Sequence, residues 1–230
     1  MTGTAATGEP MRRATRRVIL FDVDNTLLDN DAAQADYRAY LTRESGRDAA
    51  DRYWAIFLEL RAELGYADYL GAFQRYRLEP LHDPRLLLMS SYLLDYPFAD
   101  RLYPGALDVV ARCGRLGETV ILTDGDVVFQ PRKVDRSGIR RAVNDRVMIC
   151  IHKELELDDV ERRYPAARYV LIDDKLRILT AVKRVWAERV TTVFVRQGHY
   201  AHDPEVLASY PPADLAVDRI GDVAGLDFDG

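Results

Sequence analysis

The first clear pattern along the chain is an unbroken apolar run, Val18-Ile-Leu-Phe21, that ends on an acid, Asp22. A run that is apolar on both faces predicts a buried strand of a parallel sheet, over about residues 17–22. After Asp29 the period changes. Residues 31–96 show no strand-like alternation, and apolar residues such as Tyr53, Phe57, Leu60 and Leu64 recur at helical spacing. Helices are predicted over 32–43, 47–64, 66–77 and 84–95, punctuated by Gly65, Pro80 and Pro97. Beyond Tyr103-Pro-Gly105, short apolar runs and helical stretches alternate. Strands are predicted at 119–122, 147–151, 169–172 and 190–195, with an edge piece at 214–217. Helices are predicted at 106–113, 127–137, 157–163 and 176–188.

That alternation predicts an α/β fold, a Rossmann-like parallel sheet core with helices on both faces. The helical block between the first two strands, about 70 residues, is too long for a simple crossover and reads as an inserted all-helical cap. The expected organisation is a disordered tail over 1–15, a catalytic core over 16–29 and 104–230, and a cap over 30–103. The arginines at the tail, Arg12, Arg13, Arg16 and Arg17, are expected to be solvated.

Composition narrows the class without naming a chemistry. A chain of 230 residues allows one large domain, or one domain with an insertion. An apolar share of 48% and a charged share of 30% suit a soluble globular protein. The net charge of −5 speaks against nucleic acid as a partner. No apolar run nears the ~18 residues of a membrane span, and the N-terminus lacks the apolar core of a signal peptide. Cys113 and Cys150 fall in a predicted helix and a predicted strand, so no disulfide is expected and a cytoplasmic location fits. The chain has 28 Arg but only 4 Lys, so the place of each Lys is informative.

Acid pairs are cheap in this sequence. It holds 26 Asp, so Asp-x-Asp arises about three times by chance, and it occurs four times. The weight therefore lies on the strand before Asp22 and Asp24 and on Thr26 after them. An acid at the carboxyl end of a buried strand is costly unless something binds it. Open α/β sheets bind ligands along that edge. The strand ends are Asp22 and Asp24, then Thr123, then Lys153, then Asp173 and Asp174. Carboxylates for a hard cation, a hydroxyl, an ammonium and one carboxylate left to react suit phosphoryl transfer with Mg²⁺.

In order and in context these residues resemble the haloacid dehalogenase-like hydrolase superfamily. The matching motifs are Asp22-Val-Asp24-Asn-Thr26, Thr123-Asp124-Gly125, Lys153 and Asp173-Asp174, with the helical insertion after the first. The resemblance implies roles. Asp22 is then the nucleophile, forming an aspartyl-phosphate. Asp24 is the acid/base, with its carbonyl toward the metal. Thr123 and the backbone N–H groups of Asp124 and Gly125 hold the phosphate. Lys153 neutralises phosphate and nucleophile together. Asp174 binds the metal directly and Asp173 supports it, with the reverse order open. Dehalogenases of the superfamily lack an acid at the position of Asp24, so its presence favours phosphate chemistry. Where the family more often has Asn, this chain has Asp124. Its side chain is expected to point away, or toward Arg132 or Lys133.

Other residues carry weaker expectations. Lys133, within a helix, and Lys175, beside the acid pair in a salt bridge, are rivals for the role of Lys153. Asn25 is a candidate for touching ligand or cap, and Thr26 for bracing the first loop. His152 is assigned to packing. His199 and His202 lack a third soft ligand, so a zinc site is not expected. Tyr37, Tyr40, Tyr66, Tyr69 and Tyr76, with Arg61 and Arg75, are assigned mainly to helix packing and surface, with some lining the pocket mouth. The resulting expectation is a Mg²⁺-dependent phosphatase, a monomer or homodimer, acting on a small phosphorylated metabolite. The alternatives are a phosphotransferase or mutase with the same nucleophile, and a non-catalytic binding module that keeps the fold.

Overall fold

A computed structural model describes residues 15–79 and 84–228. The predicted tail lies almost wholly outside the described residues, but Arg17, expected to be solvated, is buried in β1 and donates to Phe228 O at 3.1 Å. Strand β1 (Thr15–Phe21) is followed by α1 (Asn30–Ser45), α2 (Arg47–Leu64), α3 (Tyr69–Tyr76) and α4 (Arg85–Asp95). Then come α5 (Ala106–Cys113), β2 (Glu118–Asp124), α6 (Phe129–Arg136), α7 (Ile139–Ala142) and β3 (Val147–Cys150). The chain continues through α8 (Leu157–Arg163), β4 (Ala166–Asp173), α9 (Leu176–Trp186), β5 (Val190–Val195), α10 (Pro204–Ser209) and β6 (Leu215–Val217).

The six strands form one sheet in the order β3-β2-β1-β4-β5-β6, and every pairing is parallel. The predicted α/β core is therefore observed. Pairing extends some strands past their apolar runs: β4 begins at Ala166, three residues before the run at Tyr169. The short helices α7 and α10 had no signal in the apolar pattern. β1 lies at the centre, with Phe21 opposite Ile121 of β2 on one side and Ile172 of β4 on the other. The chain grows from β1 toward β3, then returns to the other side of β1 with β4. That reversal is the point at which doubly wound sheets open a crevice at their carboxyl edge.

The apolar run of β1 serves two cores. Ile19 and Phe21 face one cluster, with α5, α6 and α7. Val18 and Leu20 face the other, with α8 and α9. All four are fully buried, and the alternation follows from the two-residue period of a strand.

Helices α1 to α4 lie between β1 and β2 in sequence and share the first of these clusters. Their contacts are largely aromatic. Tyr53 meets Tyr37 edge-on at 5.5 Å between ring centroids, and Phe57 stacks on Tyr69 at 4.6 Å. Phe129, at the start of α6, joins this aromatic core to the sheet layer through Tyr69 and Phe98, at 4.8 and 5.6 Å. Rings of this size bury much area with few rotatable bonds, at roughly 1.5–3 kcal/mol for each fully buried side chain. Asp29 caps α1 by accepting from the Ala32 N–H at 2.9 Å. The switch from strand to helix is thus marked by a residue eight positions from the strand end.

Candidate active site

β1 delivers Asp22 to the carboxyl edge, where the Asp22 N–H donates to Ile172 O of β4 at 3.0 Å. This last rung puts Asp22 beside Asp173 and Asp174. The loop after it is tight: the N–H groups of Leu27 and Leu28 both donate to Val23 O at 3.0 Å. Asn25 there takes a positive φ of 61°, which Asn tolerates better than most residues. Thr26 Oγ1 turns back to donate to Asp22 Oδ2 at 3.4 Å, so Thr26 does brace the first loop.

Lys153 Nζ sits between two acids. It donates to Asp22 Oδ1 at 2.6 Å and lies 2.6 Å from Asp173 Oδ2. Its side chain is 1% exposed, and those of Asp22 and Asp173 are 3% and 0%. Burial alone pushes a lysine toward neutrality, but Asp173, Asp22 and Asp124 outweigh it and hold Lys153 charged well above its ordinary range. Asp173 also accepts from the Lys175 N–H at 2.9 Å. Asp174 is different: neither of its buried carboxylate oxygens has a hydrogen-bond donor. Burial pushes both acids upward, Asp174 well above the carboxylate range, with Lys175 pulling against it.

Ligand oxygens of Asp22, Asp173 and Asp174 all lie within 4.8 Å of one another. Among the described residues, this is the one acidic, His or Cys group with the spacing to hold a metal ion. Two donor-free buried oxygens in a three-carboxylate cluster fit a hard divalent cation, which takes oxygen ligands. His199 and His202 stand apart from it. His199 Nδ1 is 2.8 Å from Asp31 Oδ1, and His202 is exposed. His152 packs against the end of α2, where a Cβ on Gly65 would meet its ring at 2.7 Å.

Asp24 leaves this cluster. Its carboxylate accepts from Lys133 Nζ at 2.6 and 2.8 Å, and Lys133 also donates to Asn30 Oδ1 at 3.0 Å. Any metal role of Asp24 therefore rests on its carbonyl and not on its side chain in this conformation. Lys133, expected as a rival to Lys153 or a partner of Asp124, is 1% exposed and serves Asp24 instead.

The second motif is corrected in two places. Asp124 does not turn to Arg132 or Lys133. Its Oδ1 accepts from the Lys153 N–H at 2.8 Å, while Arg132 reaches Leu94 O and Asp95. Burial, opposed by Lys153, pushes the Asp124 carboxyl up to about 6. Gly125 does not offer its N–H to a phosphate here, because that N–H donates to Cys150 O at 3.0 Å and prolongs the β2–β3 ladder. Gly125 is needed for space: a Cβ would lie 2.6 Å from Gln130 Cβ. Gln130 was missed by the sequence. Its Nε2 donates to Thr123 Oγ1 at 3.0 Å, which leaves the Thr123 hydroxyl proton free to donate into the site.

A cavity of about 620 Å³ opens beside the buried acid cluster, with Asp24, Asp124 and Lys175 of the sheet edge and Arg61 of α2 among its lining residues. Tyr66 and Tyr200 line it as well. Its size falls within the range of small-molecule sites.

The family model for haloacid dehalogenase-like hydrolases matches residues 16–183. The chain belongs to the haloacid dehalogenase-like hydrolases. A crystal structure from Burkholderia xenovorans LB400, described as a haloacid dehalogenase-like hydrolase, is 62% identical, with a TM-score of 0.88 over 92% of this chain and 98% of that one. The L-2-haloacid dehalogenase from Xanthobacter autotrophicus with chloropropionic acid covalently bound is 20% identical, with a TM-score of 0.61 over 92% and 98%. The HAD-hydrolase YfnB from Bacillus subtilis bound to magnesium is 18% identical, with a TM-score of 0.60 over 91% and 97%. The last two likenesses show a shared fold. No curated protein matches the chain. As a family member the protein is a hydrolase. No helix among its described residues is long and apolar enough to cross a membrane.

Proposed function

We propose that this hydrolase is a Mg²⁺-dependent phosphatase acting on a small phosphate monoester. The observation that carries the reading is the surplus of buried acid at Asp22, Asp173 and Asp174, with both Asp174 oxygens free of donors. Three carboxylates against Lys153 and Lys175 leave one net negative charge, which repels a phosphate. A divalent cation among them reverses that sign and stabilises their ionised forms. Asp22, Asp173 and Asp174 are the residues that would hold it, with Asp174 as a direct ligand. When bound, Mg²⁺ supplies charge neutralisation for the phosphoryl oxygens.

The chain's own groups divide the remaining work. Asp22 attacks phosphorus, the P–O ester bond breaks, and Asp24 gives its proton to the departing oxygen. The carboxylate left on Asp24 is the state that Lys133 stabilises. Water then attacks the aspartyl-phosphate, Asp24 takes its proton, and Asp22 is restored as phosphate leaves. Thr123 and Lys153 hold phosphoryl oxygens throughout. The helical segment 30–103 acts as a lid that excludes water and selects the substrate. The Bacillus subtilis relative, whose crystal form bound to magnesium reveals interdomain movement, supports such a role.

The names of some solved relatives make carbon–halogen hydrolysis the outcome to test against. Purified protein with Mg²⁺ is expected to release phosphate from an aryl phosphate, and EDTA to stop it. Asp22→Asn is expected to lower kcat by roughly 10³-fold or more with the fold retained. Halide release from a 2-haloacid, with no phosphate release from any ester, would overturn the reading.

A further inference from the structure

We propose that the substrate carries a carboxylate in addition to its phosphate ester, and that Arg61 is the side chain that binds it. The inference rests on the phosphatase reading above and adds the chemical class of substrate. It comes from the charges around the 620 Å³ cavity, taken one by one. The lining acids are engaged: Asp24 by Lys133, and Asp124 by the Lys153 N–H. Of the lining cations, Arg177 pairs with Glu154, while Lys175, next to Asp174 in the chain, makes no ion pair among the described residues and lies 5.5 Å from the Tyr200 ring centroid.

Arg61 is the lining guanidinium without an ion pair. Among the described residues it has no carboxylate partner. Its guanidinium donates to the hydroxyl of Tyr200, a neutral acceptor, and lies 5.7 Å from the Tyr200 ring centroid. Tyr200 in turn lies next to His199, which the Asp31 carboxylate holds through both its backbone N–H and Nδ1. So Arg61 is positioned by contacts that leave its charge unspent. It belongs to α2, across the cavity from the sheet edge that carries the reacting groups. A substrate held by its phosphate at that edge reaches toward Arg61 with its far end. A guanidinium binds planar oxyanions through two parallel N–H donors. One unit of positive charge matches a carboxylate more closely than a second phosphate dianion. Tyr66 and Tyr210 also line the cavity.

Glycerol 3-phosphate and 3-phosphoglycerate differ only in a hydroxymethyl group against a carboxylate. With Mg²⁺, the wild-type protein is expected to show a kcat/KM about 10–100-fold higher for 3-phosphoglycerate, the range of a charge-assisted hydrogen bond. In Arg61→Gln that ratio is expected to fall to within about threefold of one. Because it is a ratio within one protein, a partly unfolded variant does not distort it. A wild-type ratio near one, or an unchanged ratio in Arg61→Gln, overturns the proposal. So does a higher kcat/KM for propane-1,3-diol bisphosphate than for 3-phosphoglycerate, which assigns Arg61 to a second phosphate. If an aryl phosphate is hydrolysed while the ratio is near one, this inference fails alone. If no phosphate ester is hydrolysed, the phosphatase reading fails and takes this one with it.

Discussion

Two buried lysines meet aspartates in this protein, at the carboxyl edge of the sheet and at the entrance to the helical segment. Lys153 faces Asp22 and Asp173, with Asp174 alongside and donor-free. Lys133 faces Asp24 alone and completes its hydrogen bonding on the Asn30 side chain. The first assembly has more acid than base and is sealed from water. The second is balanced, and its acid is 20% exposed. A balanced ion pair is a structural device that holds a group in place. An unbalanced one favours the binding of a further cation or the protonation of an acid. On the proposed function, the first assembly would hold the cation and the second would orient Asp24 as the acid/base.

The comparison can be broken at its strongest point. Wild-type protein is expected to gain Tm on adding Mg²⁺, because ligands that bind only the folded state stabilise it, and Asp174→Asn is expected to lose that rise and to lose activity by roughly 10²–10³-fold at millimolar Mg²⁺. Asp24→Asn is expected to lose activity by about 10²–10⁴-fold yet keep that rise in Tm. If thermal melts show that Asp24→Asn loses it and Asp174→Asn does not, the division of roles is reversed. The same scans sharpen a narrower point: Asp173→Asn, which retains an acceptor for the Lys175 N–H, is expected to keep more of the shift than Asp174→Asn.

Stability in urea without added metal gives a smaller effect. Lys153→Met is expected to cost about 3–5 kcal/mol, since it removes the cation that two buried acids share. Lys133→Met is expected to cost about 1–3 kcal/mol, because Asp24 reaches solvent. Equal losses would show that the two lysines are not in different settings.

The smallest expected effect has a pH signature. The folded Asp124 carboxyl is held near 6, above its unfolded value, so its charge weakens the folded state as pH rises from about 4 to 6, and the cost persists above that. Asp124→Asn keeps an oxygen for the Lys153 N–H and removes the charge. It is expected to gain about 1–3 kcal/mol above pH 6 and nothing below pH 4. A gain that is constant with pH would place its origin elsewhere.

The residues best read from the sequence were those that end strands. Asp22, Thr123, Lys153, Asp173 and Asp174 each follow a short apolar run, and parallel pairing brings such ends to one edge however far apart they lie in the chain. Gln130 and Lys133 had no such marker. They sit inside α6 and not at a strand end, and their partners Thr123 and Asp24 are set by how that helix packs through Phe129. Arg61 was legible as a helix-surface arginine in a group expected to contribute some of the pocket mouth, which it lines.

Taken alone, the sequence determined the periodicity, and through it the strands, the helical insertion and the set of residues at the carboxyl edge. Periodicity is a local property, and burial of a run of apolar residues needs no knowledge of what lies across from it. Tertiary structure decided the pairing of charges. It set which lysine met which acid, that Asp124 turned to the Lys153 N–H, that Gly125 spent its own N–H on Cys150, and that Arg61 kept its charge. Side-chain direction at a loop or a helix end depends on a partner from another segment, and that partner is present only once the sheet and the helices have closed around it.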